Sequence, residues 1–181
     1  MKKEILNHKD IERIISRMTH EIVEYNKGVD ALCLVGIQRG GVYLANRIAQ
    51  KINTIEYVNL PLGMLDISLY RDDISIKKTR TIVRKTDIPF DISDKKVILI
   101  DDVLFTGRSI RAAMDALMDM GRPSQIQLAI LIDRGHRELP IRADFVGKSI
   151  PTSKKERITV TFSEDGSEDK VFIEKTDRGN N

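Results

Sequence analysis

The sequence predicts an α/β protein with a central, mostly parallel sheet and helices on both faces. Three short apolar runs, Ala31–Ile37, Val97–Asp101 and Ile126–Ile132, have the length and composition of buried strands. Two segments with one apolar face, Val42–Ile52 and Ser109–Met120, follow the first two runs after glycine-bearing loops and are predicted helices. Because strands that alternate with amphipathic helices are joined by crossovers, neighbouring strands become parallel and both faces of the sheet are covered.

An additional helix is predicted before this pattern, and two more strands are predicted within it. Apolar residues recur at helical spacing from His8 to Lys27, with Asn7 as a capping residue and Gly28 as the residue that ends the helix. The stretch Ile55–Leu69 alternates less regularly, and we expect two strands there, around Pro61 and Gly63.

The remaining segments contain one hairpin and two irregular stretches. Arg71–Phe90 is strongly charged and has little periodicity, so we expect a flexible loop over about residues 70–90. Asp133–Pro151 is predicted to be irregular because glycines and prolines are spread along it. Arg157–Phe162 and Lys170–Ile173 are predicted to pair as a hairpin, because the turn between them contains Asp-Gly.

Bulk composition limits the classes of protein that fit. A chain of 181 residues with 41% hydrophobic residues is expected to form a single domain with a buried core. The net charge of +3 is too small to indicate a nucleic-acid-binding protein by itself, so a basic face would have to come from local clustering. Cys33 lies in an apolar run and is interpreted as a core residue. No apolar run is long enough to span a membrane, and we expect a cytoplasmic protein.

The segment from Val97 to Ser109 carries the clearest chemical signal. An apolar strand ends in the adjacent acids Asp101 and Asp102, and the loop Thr106–Ser109 opens a helix. A helix start presents unpaired N–H groups and partial positive charge, which suit a phosphate, and paired carboxylates suit the hydroxyls of a sugar. The combination indicates a site for a phosphorylated ribose. Two simpler interpretations remain: Thr106 only caps the helix, and the acids only form ion pairs.

Two other stretches are weaker candidates. The glycine-rich loop Gly36–Gly41 also precedes a helix and is a candidate for binding a second anion, although a plain tight turn explains it equally well. Leu69–Asp73 opens the charged segment, where a tyrosine and an arginine are placed to close over a bound polyphosphate. A solvated run of charges is the simpler interpretation of that segment.

The residues Val97–Ser109 resemble the signature of the type I phosphoribosyltransferases, which bind phosphoribosyl pyrophosphate (PRPP). Two more stretches, Leu65–Asp73 and Leu131–Lys148, resemble the pyrimidine-operon regulators that also have uracil phosphoribosyltransferase activity. The resemblance extends from the first helix to about Lys155. It implies a type I phosphoribosyltransferase fold in one domain, with a small hood subdomain contributed mainly by about residues 133–181 and with the flexible loop.

The resemblance also implies an activity and its partners. The reaction is uracil plus PRPP giving UMP and pyrophosphate, with Mg²⁺ bound together with PRPP or pyrophosphate and with no metal ion held by the protein alone. UMP or UTP acts as the signal that controls binding to pyrimidine-operon leader mRNA, and hence transcription attenuation. We expect a homodimer or a higher homo-oligomer and no association with membranes.

The matched positions imply roles for particular residues. Asp101 and Asp102 hold the ribose, and Arg71 joins them as a catalytic residue. The resemblance further implies that PRPP is bound by Arg39, Gly40, Gly41, Val103, Leu104, Phe105, Thr106, Gly107, Arg108 and Ser109, and that Tyr70, Arg71 and Asp72 form the closing loop. It implies a hood over uracil at Asp133, Arg134 and Val146. The implied RNA-binding residues are Arg17, His20, His136, Arg137, Arg142 and Lys148.

One motif departs from the family pattern. The family is expected to carry Thr-Arg-Gly in the pyrophosphate loop, whereas this chain has Arg39-Gly40-Gly41, which puts the arginine one place earlier.

Two alternative functions stay open on the sequence. One is an RNA-binding nucleotide sensor with little catalysis, and the other is a salvage phosphoribosyltransferase for another base, such as hypoxanthine or orotate. Lysines and arginines cluster in the charged segment and in the hood, which is consistent with binding to an RNA backbone. A solvated basic surface is the simpler interpretation of those clusters. The chain has few aromatic residues, so extensive base stacking is not expected.

Overall fold

Five parallel strands form the central sheet in the computed structural model, which describes residues 2–70 and 85–175. In chain order, the elements are β1 (Lys2–Leu6), α1 (His8–Asn26), β2 (Leu32–Ile37), α2 (Gly40–Glu56), β3 (Leu62–Leu65), β4 (Lys96–Leu104), α3 (Arg108–Met120), β5 (Gln125–Asp133), β6 (Phe145–Ser149), β7 (Glu156–Thr161) and β8 (Lys170–Lys175). The strand order in the sheet is β3-β2-β4-β5-β6. The predicted α/β class with a mostly parallel sheet is confirmed.

Helices cover both faces of the sheet, as predicted. Helices α1 and α2 pack on one face, where Ile15 and Ile48 belong to the larger cluster of buried apolar residues. Helix α3 covers the other face, where Leu117 belongs to the second cluster. Asn7 caps α1, because its side chain accepts a hydrogen bond from the Asp10 backbone N–H and the Asp10 side chain accepts one in return. No helix among the described residues is long and apolar enough to cross a membrane.

A second sheet packs beside the first and consists of three antiparallel strands in the order β1-β8-β7. The hairpin β7–β8 confirms the prediction from the Asp-Gly turn, since Gly166 adopts a positive φ of 78° there. The edge strand β1 was not predicted. It pairs with β8 from the opposite end of the chain, with Lys3 opposite Ile173.

The secondary structure predicted for two segments was wrong. Residues 55–69 contain one strand, β3, instead of two, because α2 continues to Glu56. The stretch Asp133–Pro151 is not irregular throughout, because it contains β6. Gly147 lies within β6 at a position where an added Cβ would overlap the carbonyl oxygen of Leu131. A glycine that suggested a loop is therefore required inside a closely packed strand.

Part of the predicted flexible loop lies against β3. The backbone N–H of Met64 donates to the Asp87 carbonyl at 2.8 Å, and the Asp87 N–H donates back to the Met64 carbonyl at 2.8 Å. Residues 71–84, which make up most of that predicted loop, lie outside the described residues.

An ion cluster centred on the buried Asp169 connects α2 to the second sheet. Asp169, which is 2% exposed, accepts hydrogen bonds from Arg47 of α2 at 2.7 and 2.8 Å and from the Ser163 N–H at 2.8 Å. Arg47 also donates to Glu164, and His8 pairs with Asp169. Because the Arg47 guanidinium binds it directly, the pKa of Asp169 lies well below its usual range.

This cluster predicts a loss of stability in acid. The folded state favours ionised Asp169, so the unfolded chain binds more protons below its own aspartate pKa of about 4. The contribution of Asp169 is therefore complete above about pH 4 and is lost as the pH falls toward the depressed pKa. Urea midpoints of the wild type should fall more steeply below pH 4 than those of Asp169→Asn. If the urea midpoints of the two proteins depend equally on pH below pH 4, Asp169 is not the source of this loss of stability.

Candidate functional site

Two glycine-bearing loops meet at the carboxyl edge of the parallel sheet. Strands β2 and β4 are neighbours, with Gly36 opposite Ile100, so the loops that follow them emerge side by side. A Cβ added at Gly40 would overlap the Asp102 carboxylate, and one added at Gly41 would overlap the Ile100 carbonyl oxygen. The start of α2 thus lies directly against the end of β4, and only glycine permits that approach.

The paired acids lie inside β4, which continues past them to Leu104. Asp101 is buried, and its Oδ1 accepts a hydrogen bond from the Asp102 backbone N–H at 2.9 Å. Burial raises the pKa of Asp102 above its ordinary value. Within residues 2–70 and 85–175, no lysine or arginine forms an ion pair with the Asp102 carboxylate. This carboxylate is therefore suited to a partner that arrives with a ligand, such as hydroxyl groups or a cation.

The loop after β4 leads into the start of α3, where backbone N–H groups are exposed to a cleft. Gly107 has a φ of 91°, which brings the backbone into the turn that opens the helix. Thr106 Oγ1 accepts a hydrogen bond from the Arg108 N–H at 3.3 Å, but the N-cap position of α3 is Gly107 and no side chain caps the helix. The next two N–H groups, those of Ser109 and Ile110, have no acceptor in the described part of the chain. The interpretation that Thr106 only caps the helix is therefore wrong, and these two N–H groups are free to bind an anion.

These N–H groups line a cleft of about 360 Å³, formed by residues 103–110 and Glu138. The segment after β5 forms hydrogen bonds with the loop that lines the cleft. Arg137 donates to the Phe105 carbonyl at 2.9 Å, and the Glu138 N–H donates to the Thr106 carbonyl at 2.9 Å. Glu138 also pairs with Arg108 at 2.7 Å. The loop is thus held in position before any ligand is present.

The three residues predicted to cover a base do not lie together. Asp133 ends β5, and its Oδ1 accepts from the Gly135 N–H at 3.0 Å. Arg134 is 6% exposed, its guanidinium lies 3.9 Å from the centre of the Phe105 ring, and it donates to the Glu156 carbonyl at 2.6 Å. Both residues are at the edge that carries the cleft. Val146 lies further back in the sheet, because it is opposite Ile130, whereas Asp133 is opposite Ser149.

Arg39 and Tyr70 make contacts away from the cleft. Arg39 precedes α2 after a cis peptide bond with Gln38, and its Nη2 donates to Asp165 Oδ1 at 3.0 Å. The Tyr70 hydroxyl donates to Asp119 at 3.1 Å, and this hydrogen bond raises the pKa of Tyr70. The other two residues of the predicted closing loop, Arg71 and Asp72, lie outside the described residues.

The six predicted RNA-contacting residues divide into two groups. Four have internal hydrogen bonds: Arg17 binds the Gly147 carbonyl, His20 the Ser16 carbonyl, His136 the Thr152 carbonyl and Arg137 the Asp133 carboxylate. Arg142 and Lys148 are exposed, and their side chains form no hydrogen bond or ion pair with any described residue. Only the second group has side chains fully available to a polyanion.

Two residues near the site were not predicted from the sequence. Glu138 binds Arg108 at the start of α3, and Asp165 binds Arg39. Both pairs join residues that are distant in sequence, so no local pattern identifies them.

The site offers oxygen ligands but no complete metal cage. No group of three or more His, Cys, Asp or Glu side chains that could hold a metal ion occurs among residues 2–70 and 85–175. Mg²⁺ binds through one or two carboxylates together with substrate oxygens, so Asp101 and Asp102 fit an ion that arrives with a diphosphate.

Comparison with known proteins identifies the family. A model of the phosphoribosyl transferase domain matches residues 1–165. The chain is 59% identical over 176 residues to the "Bifunctional protein PyrR" of Caldicellulosiruptor bescii, covering 97% of each chain. It is 60% identical over 175 residues to the protein of the same name from a Roseiflexus species, covering 96% of each.

The fold also matches solved structures. A hypoxanthine phosphoribosyltransferase of Trypanosoma cruzi superposes with a TM-score of 0.72 over 97% of both chains, at 16% sequence identity. At that identity the likeness shows the fold alone. Together with the domain match and the relatives near 60% identity, it confirms the predicted family: the chain belongs to the phosphoribosyl transferase domain family.

Proposed function

We propose that this chain transfers ribose 5-phosphate from PRPP to uracil, releasing pyrophosphate, and that it also binds pyrimidine-operon leader mRNA under the control of UMP or UTP. One observation carries the enzymatic half: the Asp102 carboxylate, without a cation partner in the described residues, lies on β4 just before the loop that leads to the unpaired N–H groups of Ser109 and Ile110. The relatives named bifunctional support the combination of two roles.

The assigned roles follow from charge and position. Asp101 and Asp102 accept hydrogen bonds from the ribose hydroxyls, and residues 103–109 bind the 5′-phosphate and the sugar. Arg39, Gly40 and Gly41 bind the pyrophosphate, with Tyr70, Arg71 and Asp72 closing over it. Asp133 and Arg134 are assigned to the base end of the site. Val146 contributes to the base site only indirectly, through the packing of β6.

Catalysis then needs no protein nucleophile. The bond between C1′ and the pyrophosphate oxygen breaks while the bond from uracil N1 to C1′ forms, and the N1 proton is released to solvent. The ribose ring gains positive charge in the transition state, which the two carboxylates stabilise. The two anion sites hold the reacting groups in line. Mg²⁺, when bound with PRPP, neutralises charge on the departing pyrophosphate.

Product analysis tests the enzymatic half. Purified protein incubated with PRPP, Mg²⁺ and radiolabelled uracil should form UMP. Hypoxanthine and orotate in place of uracil should give no nucleotide. Turnover of another base in preference to uracil would indicate a salvage enzyme, and UMP binding without turnover of any base would indicate a nucleotide sensor.

For RNA binding, the structure favours Arg142 and Lys148 as the residues to change. Because neither side chain has a partner in the described residues, Arg142→Gln and Lys148→Gln should leave the fold intact. Each variant should weaken binding to leader RNA by about threefold or more and reduce the slope of log affinity against log salt by about one. The measurement is a gel shift with UMP at several salt concentrations.

A matched control comes from the opposite edge of the sheet. Arg122 is exposed after the end of α3, and Arg122→Gln should bind RNA as the wild type does. If the control variant and the two test variants lose affinity equally, RNA binding reflects general charge and not this surface. If the wild type does not bind leader RNA with UMP or UTP, the regulatory half is wrong.

A further inference from the structure

The hairpin turn between β7 and β8 contacts the start of α2 through one carboxylate. Asp165 Oδ1 accepts a hydrogen bond from Arg39 Nη2 at 3.0 Å and another from the Tyr43 hydroxyl at 2.8 Å. Both donors lie at the N-terminal end of α2, beside the Gly40 backbone that touches the Asp102 carboxylate. The second sheet is therefore connected directly to the loop that we assign to pyrophosphate.

The geometry of the Arg39 side chain leaves room for a ligand. Only its Nη2 donates to an acceptor in the described part of the chain, so its Nε and Nη1 groups remain available. A guanidinium has donors on more than one edge, and a carboxylate that holds one edge fixes the plane of the group. Its side chain is half exposed, with 51% of its surface accessible, so it would otherwise be free to move between rotamers.

Asp165 is itself held in position. The Tyr43 hydroxyl binds the same carboxylate oxygen as Arg39, and the Tyr43 ring lies edge-on to Phe162, with the two ring centres 5.8 Å apart. The neighbouring residues Glu164 and Asp169 are bound by Arg47 of the same helix. Because the whole turn is anchored on α2, Asp165 presents a fixed acceptor to Arg39.

We propose that Asp165 is a positioning residue for PRPP: it orients the Arg39 guanidinium so that the remaining donors bind pyrophosphate. The proposal rests on the proposed function, in which Arg39 is a pyrophosphate ligand. Arg39 stands one place earlier than the arginine of the expected Thr-Arg-Gly motif. In this proposal Asp165 orients its guanidinium toward pyrophosphate despite that difference. Asp165 does not touch the substrate in this proposal and acts only through Arg39.

Steady-state kinetics of variants test this role. Asp165→Ala should raise the KM for PRPP by about five- to tenfold, the expected loss when a charge-assisted contact becomes poorly oriented. The KM for uracil and kcat should change by less than about twofold, because the interaction concerns binding of the diphosphate. Asp165→Asn, which keeps one acceptor oxygen, should lie between the alanine variant and the wild type.

A double-mutant cycle separates positioning from a general structural effect. Arg39→Gln should raise the KM for PRPP by about tenfold, and adding Asp165→Ala to it should raise the KM no further, because the two residues act as one unit. Glu168 is on the same turn, is mostly exposed and pairs with Lys170, so Glu168→Ala is the matched control and should behave as the wild type.

The outcomes distinguish the inference from the proposed function. If Arg39→Gln raises the KM for PRPP and Asp165→Ala leaves it unchanged or lowers it, the positioning role is wrong and the pyrophosphate role of Arg39 stands. If Arg39→Gln has no effect on the KM for PRPP, both the pyrophosphate role of Arg39 and this inference are wrong. Additive effects in the double variant would likewise overturn the inference.

Discussion

Replacing Asp102 by asparagine is expected to lower kcat/KM for PRPP by more than about tenfold, and Asp101→Asn is expected to do the same. In the proposed function, each change removes a negative charge that accepts hydrogen bonds from ribose hydroxyls and faces the positive charge of the transition state. The measurement is steady-state formation of UMP at varied PRPP concentrations. Near-normal use of PRPP by either variant would contradict its assignment.

Stability measurements on Asp102→Asn show whether the loss is chemical. The fold raises the pKa of Asp102 through burial, so the folded state favours the protonated form. The free energy of unfolding therefore decreases as the pH rises from the usual aspartate pKa of about 4 to the raised pKa of Asp102 in the folded protein. Above that raised pKa, the ionised Asp102 side chain destabilises the folded state. Asparagine removes that cost. The variant should melt at or above the wild-type temperature at pH 8 while PRPP use is lost, whereas a lower melting temperature would indicate a folding defect.

The second large effect is expected at Arg47, in the ion cluster that connects α2 to the second sheet. Arg47→Met should lower the free energy of unfolding by roughly 3 kcal/mol, because the carboxylate of Asp169 stays buried without its main cation. For a domain of this size the melting temperature should fall by about 6–12 °C. Calorimetry or urea denaturation at pH 7 measures the change.

The same helix provides the control for this experiment. Lys51 of α2 pairs with Glu12 at 3.2 Å, and both side chains are about one third exposed. Lys51→Met should cost less than about 1 kcal/mol, as is usual for ion pairs near the surface. A cost at Arg47 no larger than that at Lys51 would mean that the ion cluster does not hold α2 and the second sheet together.

The sequence predicted the parallel sheet and the strand, turn and helix start that carry the candidate site, because these features depend on local patterns. The apolar run of β4, its two acids and the Thr-Gly loop are contiguous in the chain, and their order specifies a strand, a turn and a helix start. The hairpin β7–β8 was also predictable, since its Asp-Gly turn is a local signal. Strand β4 extends beyond the predicted end at Asp101 because Val103 and Leu104 continue to pair with β5.

The errors arose where long-range contacts decide the structure. The segment Lys2–Leu6 is short and mostly charged, and it becomes a strand because β8 supplies the backbone partners. Strand β6 was missed because Gly147 and the nearby prolines are typical of a loop, whereas close packing against β5 requires that glycine. The pairs formed by Arg47 with Asp169 and by Arg39 with Asp165 join distant parts of the chain. No periodicity within either part indicates such a contact.

A crystal structure of the protein with bound UMP directly tests whether the acids of β4 and the start of α3 together bind a ribose 5-phosphate. We expect the ribose hydroxyls within hydrogen-bonding distance of Asp101 and Asp102, and the phosphate on the N–H groups of Ser109 and Ile110. Electron density for the nucleotide at another place on the molecule, with this cleft filled only by solvent, would contradict this expectation.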